Sequence, residues 1–251
     1  MPSQRKNLAY LVRRGVQTPQ RILPYFRRLW RNYIFNRTSA DQLEAHRRFI
    51  EDLAAENPNA AVGSDSIQHW LNSGELQFNH LVQSGVQPGH RVLDLGCGNL
   101  RLGWRLIRYL DAGKYVGIEI APRMLQQCRA KVVEYNLQDK WPYLLLVDDI
   151  DYRFLPAKSF DCITCHAVFV NSALVSIARV VPAITQLLKP GGFFDFTYYE
   201  VEGKPYAFQG AYYYHRREDI VEIVAKTGLY AEYERSWDPG QVRVRLTYRP
   251  S

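Results

Sequence analysis

The feature that most constrains this chain is the run Val92-Leu93-Asp94-Leu95-Gly96-Cys97-Gly98, with the helical pattern just after it. Arg91 to Leu95 is an apolar run of strand length that reads as a short buried strand ending at Asp94. The chain then turns through Gly96-Cys97-Gly98-Asn99. It resumes with Leu100, Trp104, Ile107 and Leu110 at helical spacing. Strand, glycine turn and helix make the first half of a nucleotide-binding unit. Bare backbone at Gly96 and Gly98 lets a ligand come where a side chain would otherwise stand.

The type of nucleotide ligand can be narrowed. A dinucleotide fingerprint needs a third glycine where this chain has Arg101, which argues against a nicotinamide dehydrogenase. The Gly-Lys-Ser/Thr of a phosphate-binding loop is absent as well. About 20 residues past the turn, Tyr115-Val116-Gly117-Ile118-Glu119 is a second apolar strand ending in an acid, placed to grip ribose hydroxyls. Here the sequence resembles the class I S-adenosylmethionine-dependent methyltransferases. Their first motif reads V-L-D-x-G-C-G, and their second strand ends in Asp or Glu. The resemblance runs over residues 85 to 251. It includes Phe160-Asp161-Cys162-Ile163-Thr164-Cys165, the following Val168-Phe169, and Leu187-Leu188-Lys189-Pro190-Gly191-Gly192.

The resemblance implies an α/β fold: a Rossmann-like, doubly wound, seven-stranded sheet with its last strand antiparallel, preceded by an N-terminal helical extension. It implies S-adenosylmethionine as cofactor. Gly96, Cys97 and Gly98 would pass under the methionine part, with Asp94 supporting the loop. Glu119, with Ile120 beside it, would hold the ribose. Asp148 or Asp149, together with Ile150, would meet the adenine. His166, at the carboxyl end of the fourth strand, falls at the cofactor edge, as a binding residue or as the base for an O-methylation. His215 and Glu200 are the next candidate bases. No metal site is expected.

Charge divides the chain in two. Residues 1–37 carry nine basic residues and no acid, whereas the whole chain is only +7. The catalytic part is therefore close to neutral, which argues against a nucleic-acid track across the fold. Within residues 20–37, Ile22, Phe26, Trp30 and Tyr33 share one helical face and arginines take the others. Such a helix suits an anionic membrane surface or an acidic partner, and equally packing on its own domain. No run is long enough to span a bilayer, and the start lacks the apolar core of a secretory signal. Four cysteines make no disulfide framework at this length. Cys162 and Cys165, three apart on a strand, point to opposite faces and cannot share a metal. A reduced, cytoplasmic protein is expected, with membrane association through the basic arm as a further reading.

Residues 1–60 are read as a basic helical extension and 61–251 as the methyltransferase domain. Ser39-Ala40-Asp41 caps a predicted helix to about Glu56, with Leu43, Phe49 or Ile50, and Leu53 inward. A further helix over Ser66–Ser84 is expected, with Gly74 as a point of interruption and His69 or Trp70 either lining the site or packing. Arg101, Arg105 and Arg108 read as a solvated stripe. Pro122 opens the next helix, preceded by Ala121 where a capping Ser or Asp is usual. Tyr143–Val147 is the third strand. A helix carrying Leu174, Ile177, Val181, Ile184 and Leu188 ends at a Lys189-Pro190-Gly191-Gly192 turn, and the fifth strand is Phe193–Tyr198. A small molecule, or the sugar of a glycan or glycolipid, is the expected acceptor, with tyrosines between Tyr198 and Tyr214 walling its pocket. The rival reading is a scaffold that keeps this fold without turnover.

Overall fold

The strand β1 (Val92–Leu95) is buried at all four positions, as expected of a strand covered on both faces. The computed structural model describes residues 42–149, 151–208, 212–237 and 240–248. The basic helix of residues 20–37, the Ser39-Ala40-Asp41 cap and Ile150 lie outside them. On one side of β1 runs β2 (Tyr115–Glu119) and then β3 (Tyr143–Leu146). On the other run β4 (Phe160–Cys165) and β5 (Leu188–Glu200), all parallel. Next to β5 lies β9 (Gln241–Thr247), antiparallel to it, and β8 (Tyr230–Trp237) closes the sheet against β9. The main sheet thus has the order β3-β2-β1-β4-β5-β9-β8, with β9 the reversed strand. This is the Rossmann-like arrangement expected from the sequence.

Side chains alternate between two cores. Leu93, Ile163, Phe194, Phe196 and Val244 meet α6 (Leu174–Thr185) and α7 (Arg217–Ala225). Val92, Tyr115, Cys162 and Phe193 face α3 (Ile67–Gln83), α4 (Gly103–Tyr109) and α5 (Pro122–Glu134). Cys162 and Cys165 fall in opposite cores, as the two-residue period requires.

The structure departs from the expected elements in three places. The tyrosine-rich segment forms a hairpin, β6 (Tyr206–Phe208) and β7 (Tyr212–His215), hung on the end of β5 through Tyr199 and Glu200. Leu188 is not the last turn of a helix. α6 ends at Thr185, Leu188 pairs with Phe160, and Lys189-Pro190-Gly191-Gly192 lies within β5 beside a register shift. The shift absorbs Pro190, which donates no ladder hydrogen bond. The first helix after the glycine turn begins at Gly103 and not at Leu100, because Leu100 takes a left-handed φ of +62°.

Gly74 does not interrupt α3. A Cβ there would overlap the Arg101 carbonyl oxygen, so the glycine lets the helix cross directly over the loop. Ser66 caps α3, its Oγ accepting from His69 N at 3.1 Å. Trp70 and Leu81 are fully buried, whereas Ile67 is exposed. The N-terminal helices α1 (Gln42–Glu56) and α2 (Pro58–Ala61) pack over the carboxyl ends of the strands and bury Phe49, Leu53 and Ala54. α5 starts without a side-chain cap of its own at Ala121. Glu51 of α1 takes that part, accepting from Arg123 N at 2.7 Å. Among the described residues, no helix is long and apolar enough to cross a membrane.

Replacing Gly74 by Ala should destabilise the protein by about 1–3 kcal/mol despite alanine's better helix propensity, since the added methyl meets backbone. Urea denaturation of the two proteins checks this.

Candidate functional site

Gly96 (φ +72°) and Gly98 (φ +59°) both take left-handed backbone, which a side chain would strain. The loop between β1 and α4 is tied down at each residue. Gly96 N and Cys97 N donate to Ile118 O at 2.9 and 3.0 Å. Gly98 N donates to Glu119 Oε2 at 2.9 Å, and Cys128 Sγ donates to Gly98 O at 2.8 Å. Asn99 is fixed by Trp70 Nε1 at 2.8 Å and by Asn59 Oδ1 at 2.9 Å. Trp70 therefore packs and orients the loop from outside the cavity. A Cβ on Gly96 would stand 2.6 Å from Val168 and one on Gly98 2.6 Å from Val62, so valines from two other segments cover the bare backbone.

Two carboxylates sit at neighbouring strand tips. Glu119 is buried and accepts from three backbone amides: Gly98 N, Ile120 N at 2.7 Å and Ala121 N at 3.0 Å. Burial pushes its pKa up to about 7, against the pull of those three donors. Asp94 accepts from Tyr115 OH at 2.7 Å, and burial raises it to about 6. Tyr115 also explains Gly103, where a Cβ would overlap its hydroxyl.

Asp94, Gly96, Cys97, Gly98, Glu119, Ile120 and His166 all border one cavity. Leu43, His46 and Phe49 of α1 roof it, and Val147 and Met124 wall its β2–β3 side. Asp148 and Asp149 are exposed and stand off the cavity wall, where Val147 takes the position expected of them. The His166 residue is 8% exposed but its side chain only 2%, so the cavity meets mainly its backbone. The ring is turned into the sheet face, with Nε2 2.6 Å from Asp195 Oδ1. Burial works against ionisation of Asp195. Hydrogen bonds from His166 and His80, with the Arg243 charge, outweigh it and hold the carboxyl well below the usual range. His215 is buried off the cavity, its Nε2 donating to Ser172 O at 2.9 Å, and burial lowers its pKa. Glu200, also off the wall, accepts from Tyr198 OH at 2.9 Å and pairs with Arg235 at 2.7 Å.

Several participants have no mark in the sequence pattern. His46 borders the cavity, as does Tyr213, which is one of the tyrosines expected to wall the acceptor pocket. Arg101, expected in a solvated stripe, binds Val62 O at 2.6 Å and lines the cavity. Arg105 likewise donates to Leu71 O at 3.0 Å. Among the described residues, no group of three or more His, Cys, Asp or Glu could hold a metal ion.

A parallel sheet with a glycine turn after its first strand, an acid ending the second and a roofed cavity between them defines a Rossmann-like nucleotide-binding domain. Residues 93–194 match a family described as a methyltransferase domain. Over that stretch the chain is similar to methyltransferases, in line with the class I S-adenosylmethionine-dependent resemblance of its sequence. It is 30% identical over 165 residues to a demethylmenaquinone methyltransferase of Symbiobacterium thermophilum, covering 62% of this chain and 60% of that one. It is 29% identical to a ubiquinone biosynthesis O-methyltransferase of Xanthomonas axonopodis pv. citri, covering 53% and 52%. The chain thus spans between half and two thirds of the length of these relatives. In structure it is similar to the magnesium protoporphyrin IX methyltransferase of Synechocystis PCC 6803 with bound S-adenosylmethionine. That likeness has a TM-score of 0.64 and 16% identity, and covers 84% of this chain and 99% of the other.

The residues present fit the family's cofactor. A buried carboxylate stands at the β2 tip for the ribose hydroxyls, and the Gly96–Gly98 loop borders the same cavity. Ile120, Val147 and Met124 offer apolar walls for a purine ring.

Glu119 gives a pH prediction. Its folded pKa lies above the ordinary 4.5, so the folded state holds the proton more tightly than the unfolded chain does. Its contribution to stability is fully present below about pH 4.5 and is lost as pH rises through about 7. Thermal melts between pH 5 and 8 should show a decline, to which Glu119 contributes on the order of 3 kcal/mol at most; Glu119→Gln should reduce it, leaving the smaller part that Asp94 supplies. A ribose needs the ionised acceptor, so affinity for S-adenosylhomocysteine should rise from pH 6 to 8. Calorimetry at both pH values checks it.

Proposed function

We propose that this protein transfers the methyl group of S-adenosylmethionine to a hydroxyl oxygen of a small molecule or sugar. The observation that carries the reading is the buried Glu119 carboxylate beside two left-handed glycines on the wall of a roofed cavity. The two curated relatives above are named for steps of quinone biosynthesis, which favours a small-molecule acceptor.

Bound in this cavity, the cofactor would supply an electrophilic methyl group on a sulfonium sulfur. What remains for the protein is alignment and exclusion of water. Glu119 holds the ribose, the Gly96–Gly98 backbone lies along the methionine part, and Ile120 and Val147 sandwich the base. Helix α1 closes the top with Leu43 and Phe49.

A hydroxyl acceptor must also lose a proton. His46 is placed to receive it. This residue borders the cavity; burial brings its pKa down to about 4, which keeps the imidazole neutral but makes it a weak base, so its part rests on position. His166 acts differently, as a positioning residue. Its bond to Asp195 anchors the end of β4, and the next residue, Ala167, takes a left-handed φ of +58° with its N–H donated to Thr197 Oγ1 at 2.8 Å.

Methyl-labelled cofactor offered with a panel of phenols and sugars tests the reading. Label should pass to a hydroxyl-bearing acceptor, and His46→Gln should lower kcat by about 100-fold while S-adenosylhomocysteine still binds. A chain that binds neither the cofactor nor its demethylated product at millimolar concentration refutes it.

A further inference from the structure

A polar layer separates α3 from the sheet. Asp195, Thr197, Gln241, Arg243 and Arg245 project from β5 and β9 on the side where α3 lies, and α3 answers with Gln77, His80 and the Ser84 cap. Most of this layer is internally satisfied. His80 stands 3.4 Å from Asp195, Arg243 Nη1 stands 2.8 Å from His80 and 2.9 Å from Glu234, and Arg245 donates to Ser84 O at 2.9 Å.

At the outer end of the layer the pattern stops. Gln77 and Gln241 are 6% and 7% exposed. Gln241 Oε1 is buried with no hydrogen-bond partner among the described residues. Both side chains line a second pocket that adjoins the cofactor cavity and shares Phe49, Arg101 and Ala167 with it. Rings of Tyr199, Tyr212 and Phe49 form its other walls. A buried amide oxygen left unpaired is costly, and a ligand donor would remove that cost.

We propose that this second pocket is the acceptor subsite, and that Gln77 and Gln241 select a neutral ring carrying neighbouring hydroxyl groups. The inference rests on the methyl-transfer reading given above and specifies its substrate class. Amides both donate and accept, as hydroxyls do, so two of them recognise a diol without needing charge. Among the described residues, no Asp or Glu lines the pocket to receive an ammonium group. The guanidinium of Arg101, on the same wall, is already bound to Val62 O. The aromatic walls suit the flat or CH-rich face of a ring.

A sugar ring and a benzenediol share this chemistry, and the test separates them. Protein loaded with S-adenosylhomocysteine is titrated, with saturation-transfer NMR as readout, with methyl glucoside, methyl rhamnoside, catechol and their deoxygenated counterparts, tetrahydropyran and benzene. At least one diol should bind, its deoxygenated counterpart should not compete, and Gln241→Leu and Gln77→Leu should each weaken the diol about tenfold. Gln241→Leu should leave S-adenosylhomocysteine affinity within about twofold, which also reports that the variant is folded. Glycosides binding alone assigns the pocket to a sugar, and catechol alone to a planar diol. No diol binding, or binding that both leucine variants retain in full, overturns the proposal. Failure of the parent protein to bind S-adenosylhomocysteine would instead strike the methyl-transfer reading beneath it.

Discussion

Three amide N–H groups converge on the Glu119 carboxylate, and the arrangement of the cavity depends on that convergence. The bond to Gly98 N fixes the loop after β1 against the tip of β2. The bonds to Ile120 N and Ala121 N turn the chain out of β2 and into α5. One side chain thus sets the distance between the glycine loop and the next helix. It does so at a burial that favours its neutral form, so the same group that shapes the pocket makes its shape sensitive to protonation. Asp94, with Tyr115 as donor, repeats the logic one strand over.

The sheet is legible in the sequence because its signals are local. A strand buried on both faces is a continuous apolar run, and a left-handed turn is most readily marked by glycine. Val92–Gly98 carries both signals and Tyr115–Glu119 the first, and so the cofactor end can be read residue by residue. Spacing alone places Leu188 on a helix, because it continues the three-to-four pattern of Ile177, Val181 and Ile184. Pairing with Phe160 decides otherwise, and pairing lies outside any local window. The hairpin β6–β7 has tyrosines in place of an alternating apolar pattern, and its stability comes from stacking across strands. Tyr199, Tyr214 and Tyr206 have centroids 4.9 and 4.6 Å apart, a contact that no spacing rule encodes.

The less legible part of the site is made by distant contacts. Asp195 sits in the middle of an apolar strand and reads as an oddity of Phe193–Tyr198. Its meaning depends on His166 and His80, which lie 29 and 115 residues away in the chain. A histidine at the end of β4 has the sequence position of a base. Its Nε2 meets that carboxylate, and His46, which also borders the cavity, belongs to a helix whose sequence shows only ordinary amphipathic spacing. The arginines after the loop read as solvated for a related reason. Their partners are the carbonyls of Val62 and Leu71, and backbone acceptors leave no trace in a sequence.

The bond from Glu51 to Arg123 N joins the roof to the floor. Moving α1 off the cavity would strip the first turn of α5 of that acceptor. Phe49 and Leu53 would meet water in the same motion. Glu51 is thereby shared between the roof of the cavity and the start of α5, so displacing the one leaves a backbone amide of the other unmet.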